Sequence, residues 1–202
     1  MLRVRTIYAG SAVSAANYYT RYLADAPGEV PGVWSGAEAE LLGLAGEVSG
    51  EDLLVLLEGR DPVSGTRLGR PFQDRYLVSG KVVRAVAGFD LTFSAPKSVS
   101  ALWALTQDER ILVAHDRAVA AAMAHGERFG STTRVRADGR RLHPDSHGLV
   151  IASFRQTTSR SDDPQLHTHA VILAKVETVD RRWLALDARY IKQYQRHIGG
   201  LF

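Results

Sequence analysis

Asp163-Pro-Gln-Leu-His-Thr-His-Ala-Val-Ile-Leu173 constrains this chain more than any other stretch. It sets two histidines one residue apart at the head of an apolar run that reads as a strand from Leu166 to Val176. Side chains of a strand alternate between faces, so His167 and His169 project together while Thr168 points away. Two imidazoles held on a rigid strand are half of a metal site. The alternative is that the rings pack in a strand with no ligand role, because short motifs also arise by chance.

The rest of the chain fits an ordinary globular body. With 202 residues, 45% of them hydrophobic and 23% charged, one domain with a proper core can form, or two small ones. No segment has the length of a membrane span, and the N-terminus lacks the apolar stretch of a signal peptide, so membrane insertion is not expected and a cytoplasmic location is. There are no cysteines, which leaves only N and O ligands for any metal. The net charge is +3, but it is unevenly spread. Arg60, Arg67, Arg70, Arg75, Lys81 and Arg84 outnumber Asp61 and Asp74 in one segment, and Arg134, Arg136, Arg140 and Arg141 outnumber Asp138 in another. Basic stripes on a near-neutral chain suit a face for a polyanion, whereas either stripe alone is equally a solvated surface.

Periodicity gives the organisation. Leu2 to Tyr8 alternates as a first strand, and Ser11 can cap a helix running to about Asp25 before Pro27-Gly28. Ser49 caps a short helix through Leu57. Lys81 to Phe93 reads as a strand interrupted at Gly88; Ser94 caps the next helix; and Thr106 with Glu109 forms a capping box for a helix ending near Gly126. Asp138-Gly139 signals a hairpin. Leu149 to Gln156, Leu166 to Val176 and Trp183 to Leu186 complete the strands, and a helix-like segment from Ala188 to His197 stops at Gly199-Gly200. Strands and helices mix without strict βαβ alternation. The expected class is therefore α+β, a mostly antiparallel central sheet with helices packed on it.

Two further segments carry chemistry. In the first helix Ala12, Ala15, Ala16, Tyr19 and Leu23 form the buried stripe, leaving Tyr18 at its edge, where a hydroxyl can stay accessible. Packing of both rings is the alternative. In Gly88-Phe-Asp-Leu-Thr-Phe-Ser94, Phe89, Leu91 and Phe93 share one face and Asp90 and Thr92 the other. A carboxylate in so apolar a strand calls for a cation, a metal or a histidine beside it, unless it faces water at an edge. The helix that follows Ser94-Ala-Pro-Lys-Ser98 could hold a phosphate with its first amides and Lys97.

Phe89-Asp-Leu-Thr-Phe-Ser-Ala-Pro-Lys-Ser-Val-Ser-Ala-Leu-Trp-Ala-Leu105, Ala114-His-Asp-Arg-Ala-Val119, Phe154 to Leu173 and the Tyr18-Tyr19 pair occur together and in order. In this combination the chain resembles the relaxase domain of the conjugative relaxase-helicases, the TrwC/TraI type of HUH endonuclease, over nearly its whole length. The resemblance implies a relaxase fold and a single relaxase domain over residues 1–202 that lacks its C-terminal part. It implies metal-dependent, site- and strand-specific nicking and joining of DNA at an origin of transfer through a 5′-phosphotyrosyl intermediate. Tyr18 is then the nucleophile, Asp90 the acidic residue serving the site, and His167 and His169 two of three metal ligands. Arg67, Arg70, Arg75, Lys81, Arg84, Lys97, Arg134 and Arg136 are the expected DNA contacts. Single-stranded DNA and the origin hairpin are the expected ligands, with relaxosome accessory proteins and a type IV secretion coupling protein as partners.

The chain departs from that pattern in three places. The third ligand position, a histidine in the family, holds Gln156 here. A neutral amide oxygen is a weaker and harder donor, which moves the preference from zinc towards magnesium or manganese. Either Gln156 ligates, or His143 or His147 replaces it, or the site is degenerate. No second tyrosine pair follows between Leu23 and Val33, and no Gly-x-x-x-x-Gly-Lys-Ser/Thr loop exists, so no helicase domain is expected. Gln156 and the short C-terminus support the rival expectation of a truncated, catalytically weak module that binds origin DNA.

Overall fold

The computed structural model describes residues 1–22, 30–159, 161, 163–193 and 195–202. The expected helix end at Asp25, with Leu23 of its stripe, lies outside the described residues.

Five strands form the central sheet: β1 (Leu2–Tyr8), β2 (Val33–Ser35), β5 (Val86–Ser94), β8 (Ile151–Thr158) and β9 (Pro164–Leu173). Their spatial order is β1-β5-β9-β8-β2, and every neighbouring pair is antiparallel. Three two-stranded ribbons flank it: β3 (Arg75–Tyr76) with β4 (Val82–Val83), β6 (Val135–Ala137) with β7 (Arg140–Leu142), and β10 (Lys175–Glu177) with β11 (Trp183–Ala185). The helices are α1 (Ala12–Asn17), α2 (Ala37–Leu41), α3 (Gly50–Leu57), α4 (Lys97–Thr106), α5 (Glu109–Gly130), α6 (Arg189–Gln193) and α7 (Gln195–Leu201). The fold is α+β, as expected.

Alternation divides the core into two layers. On one face Ala152, Phe154, Val171 and Leu173 pack with Ala12, Ala16 and Tyr19 of the N-terminal helical segment and with Leu53, Leu56 and Leu57 of α3. On the other, Phe89, Leu91, Phe93, Ala170 and Ile172 pack with Val119, Ala122 and Met123 of α5, Ile191 of α6 and Ile198 of α7. Both faces are covered, so the middle strands are apolar nearly throughout and any polar group on them is held away from bulk water.

Several local expectations hold. Ser49 Oγ accepts from Asp52 N at 3.0 Å and caps α3. Asp138 and Gly139 both adopt positive φ (50° and 73°) between β6 and β7, as a tight two-residue hairpin turn demands. Others are corrected. Gly88 does not interrupt a strand: it is paired inside β5, and a Cβ there would stand 2.7 Å from the carbonyl oxygen of Ile172. The break falls at Arg84-Ala85, where Ala85 N donates to Asp74 Oδ1 at 2.7 Å. Ser94 ends β5 rather than capping α4, which starts from Pro96. Asp108, not Thr106, caps α5 by accepting from Arg110 N at 2.9 Å, and that helix runs past Gly126 to Gly130. Ser11 makes no side-chain cap. The last segment continues through Gly199 and Gly200 to Leu201 because Ile198 is buried against the sheet.

Glu38 of α2 is a buried acid whose Oε2 has no hydrogen-bond partner among the described residues. Burial, then the nearby Glu177 carboxylate, pushes its pKa up to about 7. The unfolded chain loses this proton near the ordinary value of 4.5, the folded chain only near 7. Folding stability therefore declines as pH rises from about 4.5 to about 7 and levels off above that window. Glu38→Gln is expected to remove that decline, on the order of 2–3 kcal/mol at pH 8. Chemical denaturation at pH 5 and pH 8 measures it; a parent chain as stable at pH 8 as at pH 5 would count against the assignment.

Candidate active site

The strand register explains how the candidate residues meet. β9 is the middle strand, with His169 opposite Thr92 of β5 and Phe154 of β8, and His167 opposite Ser94 and Gln156. Asp90 lies two residues along β5 from Thr92, on the same face. His167, His169, Gln156 and Asp90 are all buried, and this face looks towards the N-terminal helical segment.

Their hydrogen bonds set the imidazole tautomers. His169 Nδ1 is 2.9 Å and 3.0 Å from the two oxygens of Asp90. His167 Nδ1 is 2.8 Å from the carbonyl oxygen of Gln165. Carboxylates and carbonyls only accept, so each Nδ1 donates and each neutral ring presents its Nε2 lone pair, the form in which histidine binds a metal. The two ring centroids are 5.1 Å apart. Thr92 Oγ1, 3.3 Å from both Asp90 Oδ1 and His169 Nδ1, completes this polar cluster. Among the described residues no three His, Asp or Glu side chains converge to hold a metal ion; a third oxygen or nitrogen donor would have to come from another residue type or from outside them. Gln156 offers one from the register position beside His167. His143 packs against Tyr190 at 6.1 Å between ring centroids, and His147 Nε2 lies 3.8 Å from Glu177 Oε2, which separates both from the imidazole pair.

The tyrosines arrive on a π-helical turn, Tyr18–Tyr22, that continues α1. Its wider winding follows Ala12 and Ala16 into the core and brings both rings over His169. Tyr19 is 5% exposed and stacks on Phe154 with ring centroids 5.4 Å apart. Burial, then the charge and hydrogen bond of Asp90, raises the Tyr19 pKa far above that of a free phenol. Tyr18 is half-buried and meets His169 edge-on, with ring centroids 6.2 Å apart. The helical stripe thus separates the two rings as expected, one buried and one at the rim.

Away from this cluster, at the end of the sheet where β5 begins, lies a cleft of about 1280 Å³. Arg70, Arg75, Lys81, Arg84, Arg134 and Arg136 all line it, so the two basic stripes of the sequence converge. Lys175, Arg182 and Lys192 join them, and no acidic residue among the described residues lines it. Phe89 lines the cleft while Asp90, the next residue of β5, faces the imidazoles, so the two features share a strand. Arg67 and Lys97 stand elsewhere. Lys97 Nζ donates to the carbonyl of Pro164 at 3.0 Å and ties α4 to the start of β9.

Some contributors had no readable signal in the sequence. Lys175 is buried, its Nζ donating to the carbonyls of Leu68 and Arg70 (the latter at 2.7 Å) and lying 4.5 Å from the Phe72 ring centroid. Burial, then the Arg67 charge, lowers its pKa to about 8, and its bonds to Leu68 and Arg70 fasten that basic segment to β10. His115 of α5 is also buried, its pKa lowered to about 4 mainly by burial. Arg5 could have been found by alternation: it pairs with Asp90 in the register and lies on the same face.

Known conjugation proteins are similar to this chain. The Multifunctional conjugation protein TraI of Escherichia coli (strain K12) is 43% identical over 182 residues, covering 88% of this chain and 10% of that protein. Conjugative relaxase TrwC in complex with oriT DNA, in a metal-bound structure, superposes with a TM-score of 0.84 at 35% identity, covering 100% of this chain and 66% of that one. TrwC complexed with a 27-mer DNA comprising the recognition hairpin and the cleavage site matches with a TM-score of 0.80 at 36% identity, covering 100% of this chain and 65% of that one. The chain spans about a tenth of the curated relative TraI and just under two thirds of the TrwC chain. The TrwC relaxase family model matches residues 4–202, and the chain belongs to that family.

Proposed function

We propose that this chain is a DNA relaxase that nicks one strand at an origin of transfer and rejoins it, with Tyr18 as nucleophile. The observation that carries the reading is the half-buried Tyr18 ring set edge-on to an imidazole, His169, whose Nδ1 is engaged by the Asp90 carboxylate. A free phenol is a weak nucleophile near neutral pH and needs a site that stabilises the developing charge. His167, His169 and Gln156 would hold a divalent ion, as the Nδ1–H tautomers of the histidines and the neighbouring register position of Gln156 support. Such an ion, when bound, would supply polarisation of the scissile phosphate and neutralise charge building on it. An oxygen donor beside two imidazoles favours magnesium or manganese over zinc. Metal-bound and copper-bound TrwC structures, at 35% and 36% identity, support a metal cofactor.

The side chains divide the remaining work. Asp90 engages Nδ1 of His169, which favours a positioning role over proton abstraction from Tyr18. Attack by Tyr18 Oη on the phosphorus breaks the P–O3′ bond. It releases a 3′-hydroxyl and leaves a 5′-phosphotyrosyl ester, and reversal by a 3′-hydroxyl rejoins the strand. The cleft of Arg70, Arg75, Lys81, Arg84, Arg134 and Arg136 grips phosphates of the origin hairpin, fixing register without reading bases. Exposed Lys97 and Arg67 add charge outside it. Residues 1–202 act as one relaxase domain in the cytoplasm, handing DNA to accessory and coupling proteins; no helix among the described residues is long and apolar enough to cross a membrane.

A labelled single strand carrying an origin of this family, incubated with the chain and Mn²⁺, tests the reading. A discrete nick with protein attached is expected, and binding without a nick would favour the weak DNA-binding module. The cleft gives a separate expectation. Replacing Arg75 and Arg84 with alanine should flatten the slope of log K against log salt by about 0.7–0.9 for each phosphate that is no longer neutralised. Fluorescence titrations over a salt series measure it, and an unchanged slope would return both residues to solvated surface.

A further inference from the structure

The imidazole pair is gripped from beneath as well as from its own face. Thr168 sits between His167 and His169 and points to the opposite side of the sheet, where its Oγ1 lies 2.9 Å from His115 Nε2 of α5. Its register partner on β8 is Arg155, the residue before Gln156. Arg155 Nη1 donates to Asp116 Oδ2, from the residue next to His115 in the same helix. Two consecutive residues of one helix therefore hold two paired residues of adjacent strands. On the far face, the residues flanking that pair are His167, His169, Phe154 and Gln156. His115 is itself fixed: its ring is buried and meets Phe202 edge-on, with centroids 5.3 Å apart.

From this arrangement we infer that His115 is a positioning residue for the site, setting through Thr168 the twist of β9 and so the separation and aim of the two imidazoles; the inference rests on the metal reading of that pair. Side chains at successive strand positions leave one backbone in opposite directions, so a rotation at Thr168 swings both histidine Cβ atoms together. Coordination tolerates little of this, because ligand distances and angles are fixed within narrow limits. α5 acts as a brace on the strand, in the manner of an outer-shell partner that never contacts the ion.

Thr168→Val keeps the shape and strand preference of the side chain and removes only the hydroxyl. Manganese titration by calorimetry should show at least a ~10-fold loss of affinity, the scale of outer-shell changes. The nicking kcat should fall while KM for the oligonucleotide stays near its parent value. His115→Leu should behave the same way. His115→Gln, whose amide can still reach Thr168, should recover most of the affinity, and the His115→Leu/Thr168→Val double variant should be no worse than either single one, because both remove one tie. A folded Thr168→Val that binds Mn²⁺ like the parent overturns the inference. So does a fall in melting temperature with Mn²⁺ affinity unmoved, which would make His115 a packing residue. A parent chain that binds no Mn²⁺ overturns the metal reading and this inference with it, a result distinguishable from the other two.

Discussion

Tyr18→Phe is expected to abolish the covalent protein–DNA adduct on denaturing gels, a loss of at least ~10³-fold, the scale on which removing a covalent nucleophile acts. The fold should be indifferent to the change. Tyr18 is half-buried at the rim of the helical stripe, and phenylalanine keeps its edge-on contact with His169. Tyr19→Phe has the opposite profile. Tyr19 is 5% exposed, stacked on Phe154, and has its pKa raised by burial and by Asp90, so it is held as the neutral phenol. Its loss removes one polar atom beside Asp90 and keeps the stacked ring, so stability should change by no more than about 1 kcal/mol and adduct formation should stay within a few-fold of the parent. Adduct persisting in Tyr18→Phe and vanishing in a folded Tyr19→Phe would reverse the assignment.

His167→Ala should cost both metal binding and nicking, with activity falling by at least ~100-fold, since the phosphate loses the charge that stabilises its transition state. It is a cleaner probe than His169→Ala. Removing His169 leaves Asp90, 2% exposed, without its imidazole partner and with the longer Thr92 bond, so part of that effect would be instability from a buried carboxylate that has lost its shortest donor. His167 Nδ1 instead bonds a backbone carbonyl, that of Gln165, near the less enclosed start of β9. Gln156→His supplies the counterpart. A third imidazole at the register position beside His167 should raise Mn²⁺ and Zn²⁺ affinity by about ten-fold, on the scale of a ligand change. Calorimetric titration of parent, His167→Ala and Gln156→His separates the cases. If Gln156→His binds no better than the parent, the amide is outside the coordination sphere.

The parts of this architecture governed by local alternation were legible in the sequence. Asp90 and Thr92 facing away from Phe89, Leu91 and Phe93, His167 and His169 sharing a face, and Tyr19 buried beside Tyr18 all follow from a period of two or of three to four residues. The Asp138-Gly139 turn and the Ser49 cap follow from local backbone chemistry. What escaped depends on contacts across long sequence separations. That Asp90 meets His169, 79 residues away, depends on β5 and β9 being neighbours in one register. The basic cleft is assembled from segments near Arg75, Arg134 and Arg182, none of which names the others. Lys175 and His115 look ordinary in sequence because burial and partners, not residue type, give them their roles. Gly88 and Gly126, which read as breaks, lie inside elements, Gly88 where the Ile172 carbonyl comes too close for a side chain and Gly126 within a helix long enough to carry it.

Strand transfer tests the central claim most directly. An origin oligonucleotide labelled on the 3′ side of the cleavage point is incubated with the chain and Mn²⁺, and the protein-linked product is isolated and then given an unlabelled acceptor ending in a free 3′-hydroxyl. A phosphotyrosyl ester at Tyr18 retains the bond energy of the broken phosphodiester, so label should pass from protein to a longer, joined strand, and no such product should form with Tyr18→Phe. Cleavage that yields a free 5′-phosphate, with no protein-bound label and no joined strand, would contradict the account and make the chain a hydrolytic nuclease.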